Sequence, residues 1–115
     1  MDSDLLSLPM ASDLAPYWDV TTTPGGSTYQ NMTGWAMQFV IRRTSDDALM
    51  FSTTSVTIST GLGTGSRATV TIADTDIVGW PAGNGYYGSL WRTDNGSDTP
   101  VWTGPVRLLK TAAQV

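Results

Sequence analysis

The fold class is decided by the stretch Trp35-Ala36-Met37-Gln38-Phe39-Val40-Ile41-Arg42-Arg43, in which a large apolar side chain recurs at every second position. Alternation of period two across a stretch of this length is typical of a β-strand with one face buried in a core. A polar turn containing Asp46 and Asp47 follows it, and residues 48–52 are again mostly apolar. The sequence therefore predicts a β-hairpin at the centre of the core.

Similar patterns extend in both directions from this hairpin and are separated by turn signals at short intervals. They predict strands at residues 17–22, 55–59, 67–72, 86–93 and 101–109, and one helical turn at residues 74–80 capped by Asp74. Thr and Ser together supply 29 of 115 residues, there is no Glu, and Lys110 is the single lysine, which disfavours helices. We expect an all-β protein, an immunoglobulin-like antiparallel β-sandwich of about seven strands, with a small barrel as the alternative.

The first sixteen residues differ from the rest of the chain, and we treat residues 1–16 as an N-terminal arm before a single domain at 17–115. Pro9 and Pro16 punctuate the arm, and one helical turn is expected at residues 4–8. One interpretation is a loose terminus. The other is docking on a neighbouring subunit, since four apolar side chains fall within six residues: Leu5, Leu6, Leu8 and Met10.

Composition excludes several classes of function. Cys and His are absent, which removes disulfide frameworks, thiol nucleophiles, cysteine–zinc sites and imidazole bases. A net charge of −4 and six scattered basic residues argue against nucleic-acid binding. No apolar run is long enough for a membrane span, and the acidic start does not match a signal peptide, so we expect synthesis in a cytoplasm without a cleaved leader.

Paired aspartates are the only acid–base groups available for catalysis. They occur as Asp46-Asp47, as Asp74 with Asp76, and as Asp94 with Asp98, each where turns and helix caps favour aspartate. Calcium in the Asp94–Asp98 loop is an alternative, although that loop is short of oxygen ligands. The glycine-rich loop at 61–65 lacks the Lys-Ser/Thr and the helix of a phosphate-binding loop. We expect no enzyme activity, no resident metal and no cofactor.

Aromatic side chains are the remaining candidates for function. Trp35 and Trp102 lie at apolar-face positions and are expected to fill the core, whereas Trp80 lies in a loop and is expected to be exposed. Trp80 and Tyr87 are therefore candidate interface residues, because exposed aromatics are enriched at protein interfaces. The alternative is a carbohydrate-binding module in which Trp80 or Trp91 stacks on a host glycan.

A family resemblance rests on three short motifs and their order. The chain resembles small tailed-phage virion proteins in three places. These are Met32-Thr33-Gly34-Trp35 before a strand ending in Arg42-Arg43, Thr75 followed by Pro81-Ala82-Gly83 before a Tyr-rich strand, and Gly104-Pro105-Val106 in the last strand. Those proteins are immunoglobulin-like sandwiches, similar to the N-terminal domain of baseplate upper proteins. The resemblance implies a non-enzymatic virion structural protein (a baseplate or tail-fibre adaptor, or a capsid decoration protein). Its partners would be copies of itself and other virion proteins, and the family carries no catalytic residues.

Overall fold

Two β-sheets form the fold in the computed structural model, which describes residues 6–9, 14–23, 26–77, 80–81, 83–94, 96 and 98–109 and gives only the backbone of Pro9 and Asp74. The elements in chain order are β1 Leu6–Pro9, β2 Tyr17–Asp19, β3 Met37–Arg43, β4 Leu49–Thr53, β5 Val56–Thr60, β6 Ser66–Val70, α1 Asp74–Ile77, β7 Gly83–Arg92 and β8 Thr99–Leu109. One sheet has the order β1-β8-β7-β3-β4 and the other has the order β2-β6-β5. The expectation of an all-β fold is confirmed.

The predicted central hairpin is β3 and β4. Met37, Phe39 and Ile41 are buried, while the residues between them are half-buried and face outward. The strand starts two residues later than expected, because Trp35 donates its N–H to the Met32 carbonyl in a turn. Alternation in the sequence thus identifies the buried face of β3.

The core lies between the two sheets. Trp18 of β2 contacts Phe39 of β3 and Trp102 of β8, with ring centroids 5.3 Å and 5.2 Å apart. Trp102 is 2% exposed, as its position on the apolar face predicts. Trp35 is only half-buried, and the guanidinium of Arg92 lies 4.0 Å over its ring. Trp102 is therefore a core residue, as expected, whereas Trp35 packs against the end of the core.

The N-terminal arm contains a strand where a helical turn was expected. β1 pairs in parallel with β8, with Leu6 beside Val106 and Leu8 beside Leu108. The pairing gives the backbone of this short segment hydrogen-bond partners and places Leu8 in the core, which a single exposed helical turn would not do. The predicted helical turn is thus wrong, and the other strand pairs of the described residues are antiparallel.

Several predicted strand ends also differ from the structure by a few residues, most clearly in β2. β2 ends at Asp19, and Thr21 instead forms an isolated bridge with Tyr29. The helical turn is confirmed at Asp74–Ile77, where Asp76 accepts a hydrogen bond from the Ala73 N–H. The cap expected from the side chain of Asp74 falls outside the part of the chain that is described.

Candidate interaction surface

The arm residues proposed for docking divide into two groups. Leu8 is 2% exposed and Leu6 is half-buried, and both pack with the inward side of β8. Leu5 and Met10 lie outside the described residues. Within this chain, β1 uses its leucines to complete the five-stranded sheet, so Leu8 presents no free surface to a neighbour.

Trp80 is not the exposed loop residue that was expected. It is half-buried against the core, and its ring stacks on Tyr86 at 5.6 Å with an interplanar angle of 29°. Tyr86 in turn donates its hydroxyl hydrogen bond to the Pro81 carbonyl at 2.8 Å. Trp80 therefore holds the connection between α1 and β7 in place, a role that loop composition does not reveal.

Tyr87 lies on the outer face of the five-stranded sheet, opposite in direction to its buried neighbour Tyr86. It is half-buried, and the register places it between Arg42 of β3 and Pro105 of β8. Its hydroxyl donates to the carboxylate of Asp47, and this hydrogen bond raises the pKa of Tyr87. The residue is thus accessible and held in one orientation.

Other residues join Tyr87 in a continuous surface on the three central strands. Ser89 lies between Val40 and Thr103 in the register, and Trp91 follows two residues later on the same face. We call this surface the outer stripe. Its members are Tyr87, Ser89 and Trp91 of β7, Val40 of β3, and Thr103 and Pro105 of β8.

The outer stripe is uncharged, and a hydrogen bond joins two side chains at its centre. The hydroxyls of Ser89 and Thr103 lie 3.2 Å apart and share a hydrogen bond. Two arginines border the stripe at one end, where Arg42 donates to the Asp47 carbonyl and Arg107 donates to the Asn84 side chain. Protein-binding patches commonly have an apolar and aromatic centre with polar and charged groups at the rim, and the outer stripe has this arrangement.

The opposite outer face, on the three-stranded sheet, has a different character. Tyr17 is 56% exposed, and the guanidinium of Arg67 lies 4.0 Å from its ring centroid. Arg67 also makes a salt bridge with Asp19 at 2.9 Å. This face therefore presents one aromatic ring beside a fixed pair of opposite charges.

Asp46, Asp47, Asp76 and Asp94, four of the aspartates considered for catalysis or metal binding, have structural partners. Asp46 accepts from Arg43 and from the Ala48 N–H, and these hydrogen bonds lower the pKa of its carboxyl to about 2, with Arg43 as the largest cause. Asp94 accepts from Arg92, which lowers the pKa of Asp94. In the described ranges there is no group of three or more acidic side chains that could hold a metal ion.

Part of the outer stripe was visible in the sequence and part was missed. Val40 lies on the outward-facing side of the alternating stretch, and an apolar residue at that position was the sequence signal for an apolar outer surface. Thr103 and Pro105 alternate with core residues of β8, but only the pairing of β8 with β7 places them beside Tyr87. That pairing joins residues that are distant in the sequence.

Comparisons with known proteins add no relative. Neither the protein-family models nor the curated proteins contain a match to this chain. Within the described part of the chain, no helix has the length and apolar character needed to cross a bilayer.

Proposed function

We propose that this protein is a non-enzymatic structural subunit of a tailed-phage virion, which assembles with copies of itself and with other virion proteins. The observation that carries the proposal is the outer stripe. Tyr87 and Trp91 lie half-buried on the outer face of the central strand of the larger sheet, with no charged side chain between them. Aromatic residues in such positions dominate the binding energy of protein interfaces.

The order of the strands supports an immunoglobulin-like sandwich. In that fold one sheet contains strands B, E and D, and the other contains G, F and C, extended by C′ in the variable type. The sheet β2-β6-β5 has the order of B-E-D, and β8-β7-β3-β4 has the order of G-F-C-C′. The chain order of these strands agrees with the same assignment.

A local feature supports the same assignment. Immunoglobulin-like domains carry a tyrosine near the start of strand F whose hydroxyl binds the backbone a few residues upstream. Tyr86 lies near the start of β7, is 4% exposed, and donates to the carbonyl of Pro81 five residues earlier. Position, burial and hydrogen bond thus agree with this tyrosine corner.

The motifs that resemble phage virion proteins flank or lie within three neighbouring strands. The first precedes β3, the second precedes β7, and Gly104-Pro105-Val106 lies within β8. These three strands are neighbours in the larger sheet and carry the outer stripe. The strands next to the motifs are therefore also the strands of the proposed contact surface, which suits a baseplate or tail-fibre adaptor or a capsid decoration protein.

Particle incorporation tests the proposal. Virions are purified from a host that produces the tagged wild-type chain, Trp91→Ala, or the matched control Tyr17→Ala on the opposite sheet, and subunit occupancy is measured by mass spectrometry. Loss of a central aromatic contact is expected to reduce occupancy at least about tenfold for Trp91→Ala and to leave Tyr17→Ala near wild type. Absence of the wild-type chain from particles, or equal occupancy of all three, contradicts the proposal.

A host-glycan-binding module is the second candidate, favoured by the exposed ring of Tyr17 beside Asp19 and Arg67. An aromatic face stacks on a sugar ring while the charged pair accepts and donates hydrogen bonds to its hydroxyls. The same two variants on a polysaccharide array separate the candidates. Glycan binding that is lost in Tyr17→Ala supports this second function, whereas a chain that binds no polysaccharide excludes it.

A further inference from the structure

The two sheets have four edge strands, and three of them carry features that discourage pairing with another chain. β1 has four residues and ends at Pro9, and β2 has three residues. β4 is irregular, because its register against β3 shifts between Ile41 and Arg42 and leaves Met50 as an extra residue. Short strands, proline and bulges are the usual protections of a sheet edge.

The fourth edge, β5, has none of these protections. Val56, Thr57, Ile58, Ser59 and Thr60 pair with five consecutive residues of β6 without a shift in register. The strand has no charged residue and no proline, and four of its five side chains are β-branched, which favours extended structure. It is therefore a regular edge that is open to a further strand.

Backbone hydrogen bonds show which groups of β5 point away from β6. Gly61 donates its N–H toward β6, to the carbonyl of Gly65. Because the direction alternates along an antiparallel strand, Thr57 and Ser59 bond to β6, whereas Ile58 and Thr60 direct their N–H and C=O groups to the free edge. No hydrogen bond in the described part of the chain occupies those groups of Ile58 and Thr60.

An open cleft of about 470 Å³ lies next to β5. Ile58, Ser59 and Thr60 line one wall, and the other walls come from Asn31, Thr33, Gly34 and residues 63–66 at the turn between β5 and β6. Val56 and Ile58 are only partly buried, although they lie on the side that packs against the core. A strand added here would satisfy backbone groups and cover apolar surface together.

We propose that the partner for this edge is a second copy of the chain, paired antiparallel through its own β5 about a twofold axis at Ile58. In that register the Ile58 N–H and C=O of the two copies bond reciprocally. Thr60 of each copy then donates to the Val56 carbonyl of the other. Val56 needs no partner for its own N–H, which already donates to the Thr54 carbonyl.

The side chains of β5 are complementary to themselves in this register. Thr57 faces Ser59 of the second copy, so their hydroxyls meet. Val56 faces Thr60, and no like charges oppose each other. A contact of one short strand is weak by itself, but many simultaneous contacts in a repetitive particle multiply its effect. If the chain is a virion subunit, as proposed above, β5 pairing would supply one of its contacts between copies. The pairing itself is inferred from the open β5 edge and does not depend on that proposed function.

A charge-swap experiment on the purified chain tests the pairing and its register. Sedimentation equilibrium is measured up to about 1 mM for the wild type, for Thr57→Lys with Ser59→Lys, and for Thr57→Lys with Ser59→Asp. Both positions are exposed, and Ser59 lies opposite Arg67 of β6, so the melting temperature is measured for each variant and is expected to fall slightly for the double lysine. The double lysine opposes like charges and is expected to weaken dimerisation at least about tenfold, while the lysine–aspartate variant restores it.

A cross-link checks the same register independently, since the chain has no cysteine of its own. Opposed residues at such a non-hydrogen-bonded position have Cα atoms about 4.5 Å apart, within the range of a disulfide. Mixed Thr57→Cys and Ser59→Cys chains should form a disulfide heterodimer, while mixing Thr57→Cys with the control Ser52→Cys on β4 should not. A wild type that is monomeric throughout, or a double lysine that dimerises like the wild type, overturns the inference. Neither result depends on virion incorporation, which tests the proposed function separately.

Discussion

At the scale of the residue, the adjacent tyrosines Tyr86 and Tyr87 show how one strand separates two roles. Tyr86 is 4% exposed, stacks with Trp80 and donates to the Pro81 carbonyl. Tyr87 faces outward and donates to Asp47. Burial is the main cause that raises the pKa of Tyr86, whereas the hydrogen bond to Asp47 is the main cause for Tyr87.

Removing each hydroxyl separates these roles. Tyr86→Phe leaves the Pro81 carbonyl without its partner at a partly buried site, and is expected to lower the free energy of unfolding by about 1 kcal/mol. Tyr87→Phe, the matched control at an exposed bond, is expected to cost less than about 0.5 kcal/mol. Urea denaturation measures both, and equal losses would show that the Pro81 bond has no special structural importance.

The pH dependence of Asp46 is a second prediction at this scale. Arg43 and the Ala48 N–H lower the pKa of Asp46 to about 2 in the folded chain, below its ordinary value of 3.8. Because the folded pKa is depressed, the stabilisation is complete above the unfolded value and is lost as pH falls from about 4 toward 2. Arg43→Gln is expected to bring the pKa back toward 3.8, as measured by NMR titration of the carboxyl carbon. An unchanged pKa would mean that Arg43 does not cause the shift.

At the scale of the element, β1 shows that a terminal segment can be part of the core. Leu8, Val106 and Leu108 are all 2% exposed or less, and they lie side by side on β1 and β8. The register turns Ser7 to the outer face beside Arg107. The strand is therefore amphipathic over only four residues.

Truncation of Leu8 tests whether β1 contributes to stability. Leu8→Ala removes buried methyl groups and leaves a cavity, so it is expected to lower the free energy of unfolding by about 2–5 kcal/mol. The control Ser7→Ala changes an exposed residue of the same strand and should stay within about 0.5 kcal/mol of the wild type. If Leu8→Ala is as stable as Ser7→Ala, β1 is not packed in the core in solution.

At the scale of the whole molecule, one aromatic cluster joins the two sheets. Trp18 belongs to the three-stranded sheet, and it contacts Phe39 and Trp102 of the five-stranded sheet. Large aromatic side chains contribute much of the buried area in a small core. Neither sheet can bury its inner face without the other.

Cooperative unfolding is the expected result of this dependence. Tryptophan fluorescence and far-UV circular dichroism should give coincident urea transitions, as a single cooperative domain requires. Trp18→Ala is expected to lower the midpoint measured by both probes equally, with a loss of about 3–5 kcal/mol. Separate transitions would show that the sheets unfold independently.

The sequence by itself determined the strands whose inward and outward faces alternate. Met37, Phe39 and Ile41 identify the buried face of β3, and Ala68 and Val70 do the same for β6, because a period of two is a local property of the chain. The sequence also predicted turns at Asp46 and Asp94, and both carboxylates accept hydrogen bonds from nearby residues in the chain. Composition alone was sufficient to predict an all-β fold.

The tertiary structure decided what depends on residues that are distant in the sequence. The parallel pairing of β1 with β8 converts an expected helical turn into a strand and buries Leu8. The stacking of Trp80 on Tyr86 buries part of an aromatic ring that loop composition predicts to be exposed. The outer stripe and the open edge of β5 exist only once strand order is fixed, and long-range pairing leaves no local pattern from which to read that order.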